Sequence, residues 1–167
     1  MADPLVEAAR HGDRDAFGKL YDHYARMVHG IVLARVPRAE ADDLVHDVFL
    51  QALRKLHRLR DGTAFGAWLA AIARNRANDF HRRTPKSESL PADVVCEDRH
   101  EADAAEILEA IRALPETYRE TLILRLVEGL TGPEIAERTD LTPGSVRVNL
   151  HRGMKLLRER LGWGEPK

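Results

Sequence analysis

Two helix starts lie close together near the C-terminal end of the chain, in the stretch LTGPEIAERTDLTPGSVRVNLHRGMKLLRERL (residues 130–161). Thr131, followed three residues later by Glu134, is a capping box, in which each side chain satisfies the other's free backbone N–H. Thr142 and Pro143 place a hydroxyl at an N-cap and a proline at the first helical position. The stretch therefore predicts two helices joined by a tight turn, over 133–139 and 143–161.

The second of these helices has two different faces. Apolar residues recur every three or four positions and predict a buried stripe of Val146, Leu150, Met154, Leu157 and Leu161. The opposite face is polar and carries Ser145, Arg147, Asn149, His151, Arg152, Lys155 and Arg158. Five basic residues against one glutamate give the helix a net charge of +4. The pattern favours a helix-turn-helix whose second helix enters a DNA major groove; the alternative is an ordinary helical hairpin with a solvated basic face.

Composition predicts an all-α fold. The chain of 167 residues is 44% hydrophobic but only 5% aromatic, and its eight prolines all fall at expected helix starts, linkers or the tail. Net charge is −1, so nucleic-acid affinity would have to come from local basic patches. A single cysteine, Cys96, excludes an internal disulfide. With no signal-peptide core and no apolar run long enough for a membrane, we expect a soluble cytoplasmic protein that inserts into no membrane.

The N-terminal part predicts three helices before a fourth, basic one. Asp3-Pro4 begins a short helix that ends near Gly12, and Asp13 begins a long one to about Arg35. Its expected inner face comprises Phe17, Leu20, Tyr21, Tyr24, Val28, Ile31 and Val32. The next helix, in AEADDLVHDVFLQALRKL, has an expected core stripe of Leu44, Val45, Val48, Ala52, Leu53 and Leu56. Phe49 and Leu50 widen its apolar surface, which indicates either a well-capped amphipathic helix or a protein-docking surface.

The following element, AFGAWLAAIARNRANDFHRR, changes character along its length. Its first half is apolar, whereas residues 74–83 hold four arginines against one aspartate, a net charge of +3. Cations at a helix C-terminus are expected from the helix dipole alone. Arginines and amides beside a tryptophan also form a surface that stacks on single-stranded bases.

Residues 84–104 break the helical pattern. The segment has two prolines and two basic residues against six acidic ones, a net charge of −4, and predicts a flexible linker. Cys96 and His100 lack a second pair of ligands, so no zinc site is expected. Helical periodicity returns with Ile107, Leu108, Ile111 and Leu114, then with Tyr118, Leu122 and Leu126 in a helix that Pro115 begins and Gly129 ends. We therefore expect a helical domain over 1–83, the linker over 84–104, a helix-turn-helix domain over 105–162 and a tail over 163–167.

The order and spacing of these motifs resemble the extracytoplasmic-function group of bacterial sigma factors, over nearly the whole chain. DDLVHDVFLQAL resembles the region-two helix that grips the polymerase clamp, FGAWLAAIARNRANDFHRR the helix that melts and reads the minus-ten element, and residues 114–161 region four, which reads the minus-thirty-five element. The clamp contacts implied by position are Asp43, Leu44, His46, Asp47 and Phe49. The residues implied at the minus-ten strand are Trp68, Arg74, Asn75, Asn78, Asp79, Arg82 and Arg83. Those implied at the minus-thirty-five groove are Ser145, Arg147, Asn149, His151, Arg152 and Lys155.

The chain departs from the family pattern at several of these positions. His46 stands where Gln is usual, Gly132-Pro133 replaces an aromatic-containing helix start, and Asn149 and Gly153 replace the common Arg and Ala. Gly153 either weakens the helix by roughly 1 kcal/mol relative to Ala or permits a close approach to the backbone.

The resemblance implies a sigma factor with no catalytic activity, metal or cofactor of its own. Its implied partners are core RNA polymerase (clamp and flap regions), promoter DNA and an anti-sigma factor. The alternative from the residues alone is a dimeric helix-turn-helix repressor or activator, which would read a two-fold site. An enzyme is disfavoured because the sequence has neither HExxH nor a P-loop.

Overall fold

The computed structural model describes residues 3–83 and 99–164, except for the side chains of residues 99–102. Within these ranges the chain is helical, with no strand, which confirms the predicted all-α class. Two short 3-10 turns, Leu56–Arg58 and Gly62–Ala64, lie between the third and fourth helices. The α-helices are α1 Pro4–Arg10, α2 Arg14–Leu33, α3 Arg38–Lys55, α4 Phe65–Arg83, α5 Arg99–Arg112, α6 Glu116–Leu126, α7 Gly132–Arg138 and α8 Pro143–Arg160.

The predicted helix ends are found close to where the capping residues place them. Asp3 accepts a hydrogen bond from the backbone N–H of Leu5, and Asp13 accepts one from that of Ala16. Gly129, at φ +70°, follows α6 in the left-handed conformation that favours glycine. One boundary was wrong, because α5 begins at Arg99, inside the segment predicted as linker. The rest of that segment, including Cys96, lies outside the described residues.

Helices α1–α4, here called the N-terminal bundle, pack around α2. Leu20, Ile31, Phe65 and Leu69 are all essentially inaccessible to solvent. This core holds α3 and α4 side by side against α2, so that their outward faces are available for contacts.

Helices α5–α8, here called the C-terminal bundle, pack mainly through α6 and α8. Leu122 of α6 and Val146 and Leu157 of α8 are buried, and Ile135 of α7 closes the same core. The prediction for α6 was wrong at Leu126, whose exposed fraction is 47%.

The two bundles also pack against each other, because α2 and α4 contact α6 and α7. Leu122, Ile123 and Leu124 are consecutive in α6 and all buried, which requires contacts on two sides of the helix. One side faces α8 and the other faces α2. The C-terminal half of α2, from Met27 to Leu33, is buried on nearly all sides for the same reason.

Candidate nucleic-acid and partner interfaces

Reciprocal caps fix the geometry of α7 and α8. The Thr131 backbone N–H donates to Glu134 at 2.8 Å, and the Glu134 N–H donates to the Thr131 hydroxyl at 3.3 Å, so the predicted capping box is confirmed. Hydrogen bonds from the Thr131 backbone and hydroxyl hold the pKa of Glu134 below its usual value. At the start of α8, the Thr142 hydroxyl accepts from the Ser145 N–H at 3.1 Å. Both helices therefore begin at fixed residues with a short turn between them, as a helix-turn-helix requires.

The outward face of α8 is basic and open. Five of the six residues predicted for the minus-thirty-five groove are exposed along it: Ser145, Arg147, His151, Arg152 and Lys155. Among the side chains that the structure describes, none forms an ion pair with a cation of this face. Val148, with an exposed fraction of 44%, lies on the same face and was missed by the sequence reasoning, which took no account of apolar groove contacts. Such a side chain is suited to contact a thymine methyl group.

The sixth predicted groove residue, Asn149, lies on the other side of α8. Its exposed fraction is 7%, because the buried stripe of the helix is Val146, Asn149, Gly153 and Leu157 rather than the one predicted. Leu150 and Met154, expected at its centre, are half-buried at its edge. Placing Asn149 in the groove is therefore at odds with its buried position.

Gly153 explains why the stripe is rotated. A Cβ atom at this position would lie 3.0 Å from Leu122 Cδ1 and 3.2 Å from Tyr118 Cβ, so the missing side chain lets α6 approach the backbone of α8. This is the close approach that the sequence left open as the second interpretation of Gly153.

The basic half of α4 is only partly exposed to solvent. Asn75, Asn78, Arg82 and Arg83, four of the residues predicted for the minus-ten strand, are exposed, whereas Trp68, Arg74 and Asp79 are half-buried. Asp79 lies 3.8 Å from Arg82.

Arg74 is bound to a carboxylate of the other bundle. Its Nε and Nη2 atoms donate to the two Glu120 oxygens at 3.2 and 2.7 Å, and Arg35 Nη2 lies 2.7 Å from the same carboxylate. Burial alone would raise the pKa of Glu120, but the hydrogen bonds from Arg74 and the charge of Arg35 outweigh it and lower that pKa. Sequence reasoning missed Glu120; the signal was a carboxylate two residues before a continuous apolar run, LIL (residues 122–124), on one helix.

The outward face of α3 differs from the predicted clamp set. Leu44 and Phe49 have exposed fractions of 8% and 3%, and the Phe49 ring packs on Tyr21 with centroids 4.3 Å apart. Asp47 lies 3.3 Å from Arg76 of α4. Leu53, predicted in the core, is instead exposed, with a fraction of 47%. Phe49 and Leu53 thus exchange their predicted places, because the buried stripe of α3 follows Val45, Val48, Phe49 and Ala52.

Four outward positions of α3 form one continuous line along the helix. Asp43, His46, Leu50 and Leu53 are exposed and follow one another at spacings of three, four and three residues, which places them on one face. We call these four residues the α3 stripe. It combines acidic, polar and apolar groups, as a docking surface for a protein does.

The described side chains contain no group of three or more potential metal ligands. None of the helices in the same part of the chain combines the length and the apolar character that crossing a bilayer requires.

Comparison with known proteins places both bundles in one family. A family profile described as Sigma-70 region 2 matches residues 20–86, and one described as Sigma-70, region 4 matches residues 104–157. The RNA polymerase sigma factor CarQ of Myxococcus xanthus is 35% identical, over 94% of this chain and 95% of its own length. The ECF RNA polymerase sigma-E factor of Haemophilus influenzae is 30% identical, over 94% of this chain and 93% of its own. Among solved structures, CnrH in complex with the cytosolic domain of CnrY has the same fold, with a TM-score of 0.67 at 23% identity over 96% of this chain and 97% of that one.

Proposed function

The chain belongs to the extracytoplasmic-function family of RNA polymerase sigma factors, and from this membership we propose which of its surfaces perform each part of promoter-specific initiation. Membership decides between the two functions that the residues alone left open, since a dimeric repressor has no need of a region-two bundle. The proposed units are a region-two domain (1–83), a linker (84–98) and a region-four domain that begins with α5 (99–162).

In the region-four domain, α8 enters the major groove of the minus-thirty-five element. The observation that carries this assignment is the open basic face of α8 opposite its buried stripe. Arginine donors suit guanine and phosphate, and the lysine and serine suit phosphate. We assign the groove contacts to Ser145, Arg147, His151, Arg152 and Lys155, with Val148 as an apolar contact, and place Asn149 in the core.

In the region-two domain, α4 binds the melted minus-ten strand. Asn75, Asn78, Arg82 and Arg83 present amide and guanidinium groups to solvent, and these groups hydrogen-bond to base edges and stack on base planes. Arg74 and Asp79 lie on the same half of the helix and Trp68 lies on its first half, and we assign all three to the same site.

The α3 stripe is the proposed docking surface for the clamp of core polymerase. It keeps Asp43 and His46 from the original set and adds Leu50 and Leu53. Leu44 and Phe49 support this face from the core, and Asp47 holds α3 against α4 through Arg76. The sigma factor supplies specificity, and the polymerase supplies the chemistry.

A further proposed partner is an anti-sigma factor that covers exposed surface of the free chain. The exposed leucines of the α3 stripe support this proposal, as does the complex in which CnrH was solved with the cytosolic domain of CnrY. Affinity purification of the chain at its native expression level should recover one stoichiometric protein besides the polymerase subunits. Recovery of polymerase subunits alone would contradict this partner.

Run-off transcription with core polymerase on a library of genomic fragments tests the main proposal. We expect initiation at a defined set of start sites, and the Arg152→Ala variant should lose about tenfold in output, because a lost guanidinium contact costs about 1–3 kcal/mol. Arg14→Ala removes the same charge from an exposed position outside the proposed surfaces and is the matched control.

The same assay tests the α3 stripe. Leu53→Asp should weaken core-polymerase binding, and Leu53→Met, which keeps an apolar side chain, should preserve it.

Initiation at random positions, or equal output from Arg152→Ala and Arg14→Ala, would refute the assignment of α8.

A further inference from the structure

The open face of α8 has an apolar residue at its centre. Val148, with an exposed fraction of 44%, follows Ser145 by three residues and precedes Arg152 by four, so these three side chains lie in line along the helix. His151, three residues after Val148, borders it on the other side. The side chains that surround Val148 on this face are thus a hydroxyl, a guanidinium and an imidazole.

The packing of α8 fixes the outward position of Val148. The buried stripe of the helix runs through Val146, Asn149, Gly153 and Leu157. Successive residues of a helix are turned by about 100°, which places Val148 almost opposite the centre of that stripe. Because the close approach of α6 at Gly153 determines which residues are buried, it also turns Val148 towards solvent.

No side chain covers Val148 on the side of the helix N-terminus. The Cα–Cβ bonds of a helix tilt towards its N-terminus, and one turn before Val148 in that direction lies Gly144. The nearest atom to a Cβ added at Gly144 would be Thr142 Oγ1, at 3.9 Å, so the space there is open. A recognition helix contacts base edges with its N-terminal residues, and Val148 is only the sixth residue of α8.

Nothing within α8 accounts for a valine at this position. A β-branched side chain loses rotamer freedom in a helix, and valine favours a helix less than alanine or lysine does. Single exposed apolar side chains are common on protein surfaces, but Val148 lies at the centre of the surface that we assign to DNA. Contact with DNA would bury the apolar carbon that the free chain leaves in water.

Thymine is the base that presents an apolar group in the major groove. Guanine, adenine and cytosine offer hydrogen-bond donors or acceptors there, whereas thymine offers one acceptor and its C5-methyl group. The valine side chain neither donates nor accepts a hydrogen bond. Pressed against a polar base edge, it would remove water from that edge without replacing the lost hydrogen bond. Valine therefore favours thymine and disfavours the other three bases.

We propose that Val148 determines specificity at one base pair of the minus-thirty-five element, by packing its isopropyl group on the 5-methyl group of a thymine. The group that it recognises is a 5-methylpyrimidine, on either strand. This inference rests on the proposed function, since it takes α8 as the helix that enters the groove. Ser145 and Arg152, in line with Val148, bond to phosphates or neighbouring base edges and hold the helix in register.

Deoxyuridine isolates the methyl group, because it pairs with adenine as thymine does and lacks only the C5-methyl. The probe is a synthetic duplex of a promoter obtained from the run-off assay, in which each thymine of the minus-thirty-five element is replaced singly, on each strand. Competition with the unsubstituted duplex for holoenzyme, assembled from the full chain and core polymerase, measures relative affinity. We expect a loss of about fourfold at one thymine, the effect of one buried methyl group.

Val148→Ser shows whether this residue senses the methyl group. Serine and valine have similar helix propensities, so helical circular dichroism should be unchanged. In this variant the loss caused by deoxyuridine should disappear. Val127→Ser is the matched control, since it makes the same change at a similarly exposed valine, with a fraction of 47%, at the end of α6. The control should keep the fourfold loss at the same thymine.

The results separate the role of Val148 from the proposed function. Equal binding of the thymine and deoxyuridine duplexes at every position would overturn that role, as would a methyl effect that Val148→Ser leaves unchanged. A selected element with no thymine on either strand would overturn it as well. If run-off transcription yields no defined element, the proposed function itself fails, so the two failures are distinguishable.

Discussion

The two sides of α6 pack in different ways. Towards α8 the contact is apolar, with Leu122 lying on the backbone of Gly153. Towards α2 and α4, Leu124 touches Gly30, but charged groups surround that contact, with Glu116, Glu120 and Glu128 facing two arginines and a histidine. The same helix thus forms two contacts, here called seams. The α6–α8 seam lies within one folded domain, and the seam of α6 with α2 and α4 is a separable contact between the two bundles.

The difference indicates which seam is permanent. Apolar groups such as Leu122 have no favourable alternative in water, so the α6–α8 seam should part only when the domain unfolds. Arginine and glutamate side chains are well solvated when separated, and a polar seam between domains resembles a transient interface. The comparison predicts different outcomes at the two glycines that α6 contacts. A side chain added at Gly153 should unfold the C-terminal bundle, whereas one added at Gly30 should only separate the two bundles.

The largest expected effect comes from Gly153→Leu. The new side chain has no space between α6 and α8, and overpacking of this kind costs about 2–3 kcal/mol of unfolding free energy. Urea unfolding of the full chain, followed by circular dichroism, measures that loss, and DNA binding through α8 should fall with it.

Gly144→Ala is the matched control within α8. The nearest atom to its added Cβ is 3.9 Å away, and alanine favours a helix over glycine by up to about 1 kcal/mol. Stability should therefore stay unchanged or rise. If Gly153→Leu were as stable as Gly144→Ala, the α6–α8 seam would be looser than the structure shows, and the contrast between the two sides of α6 would disappear.

Local chemistry made the C-terminal helices predictable. The threonine caps Thr131 and Thr142 act between residues three apart in the chain, so the sequence contains both partners of each contact. The helix starts and the turn of the helix-turn-helix followed directly from them. The exposed basic face of α8 followed from the same helix, since its cations have no place in a core.

Contacts between distant segments were not predictable in the same way. Periodicity counts apolar residues, so it placed Asn149 outside and Leu150 at the centre of the stripe, whereas Gly153 lets α6 approach on the side of Asn149. Glu120 was missed because its partners, Arg35 and Arg74, are 85 and 46 residues away in the sequence. No pattern within α6 identifies those partners. Its continuous apolar run, residues 122–124, does indicate that the helix is buried on two sides.

The smallest expected effect is the pH dependence of the contact between the two bundles, here called closure, and it arises at His29. The hydrogen bond to Glu128 raises the pKa of His29 above its ordinary value of 6.5 and outweighs burial, which lowers it; Asp42 adds a smaller increase and Arg38 a smaller decrease. A raised pKa means that His29 stabilises closure fully below pH 6.5 and stops doing so as the pH rises through the raised value. Glu120 has a lowered pKa, so its contribution is complete above the ordinary carboxyl range and is lost only in acid.

Raising the pH from about 6 to 8.5 should therefore increase the fraction of chains whose bundles are separated about two- to fivefold, the effect of a partly exposed ion pair worth up to about 1 kcal/mol. The distance between spin labels attached through Lys55→Cys and Arg160→Cys, in a chain that also carries Cys96→Ser, measures that fraction by pulsed electron paramagnetic resonance. His29→Gln should remove the dependence, whereas His81→Gln should keep it, because His81 is exposed and bonds to the Arg35 carbonyl within its own bundle. Closure that strengthened with rising pH would reverse the sign expected for His29 and would assign the response to another group. The α6–α8 seam contains no titratable contact comparable to this one among the described residues, so its stability should stay constant across the same pH range.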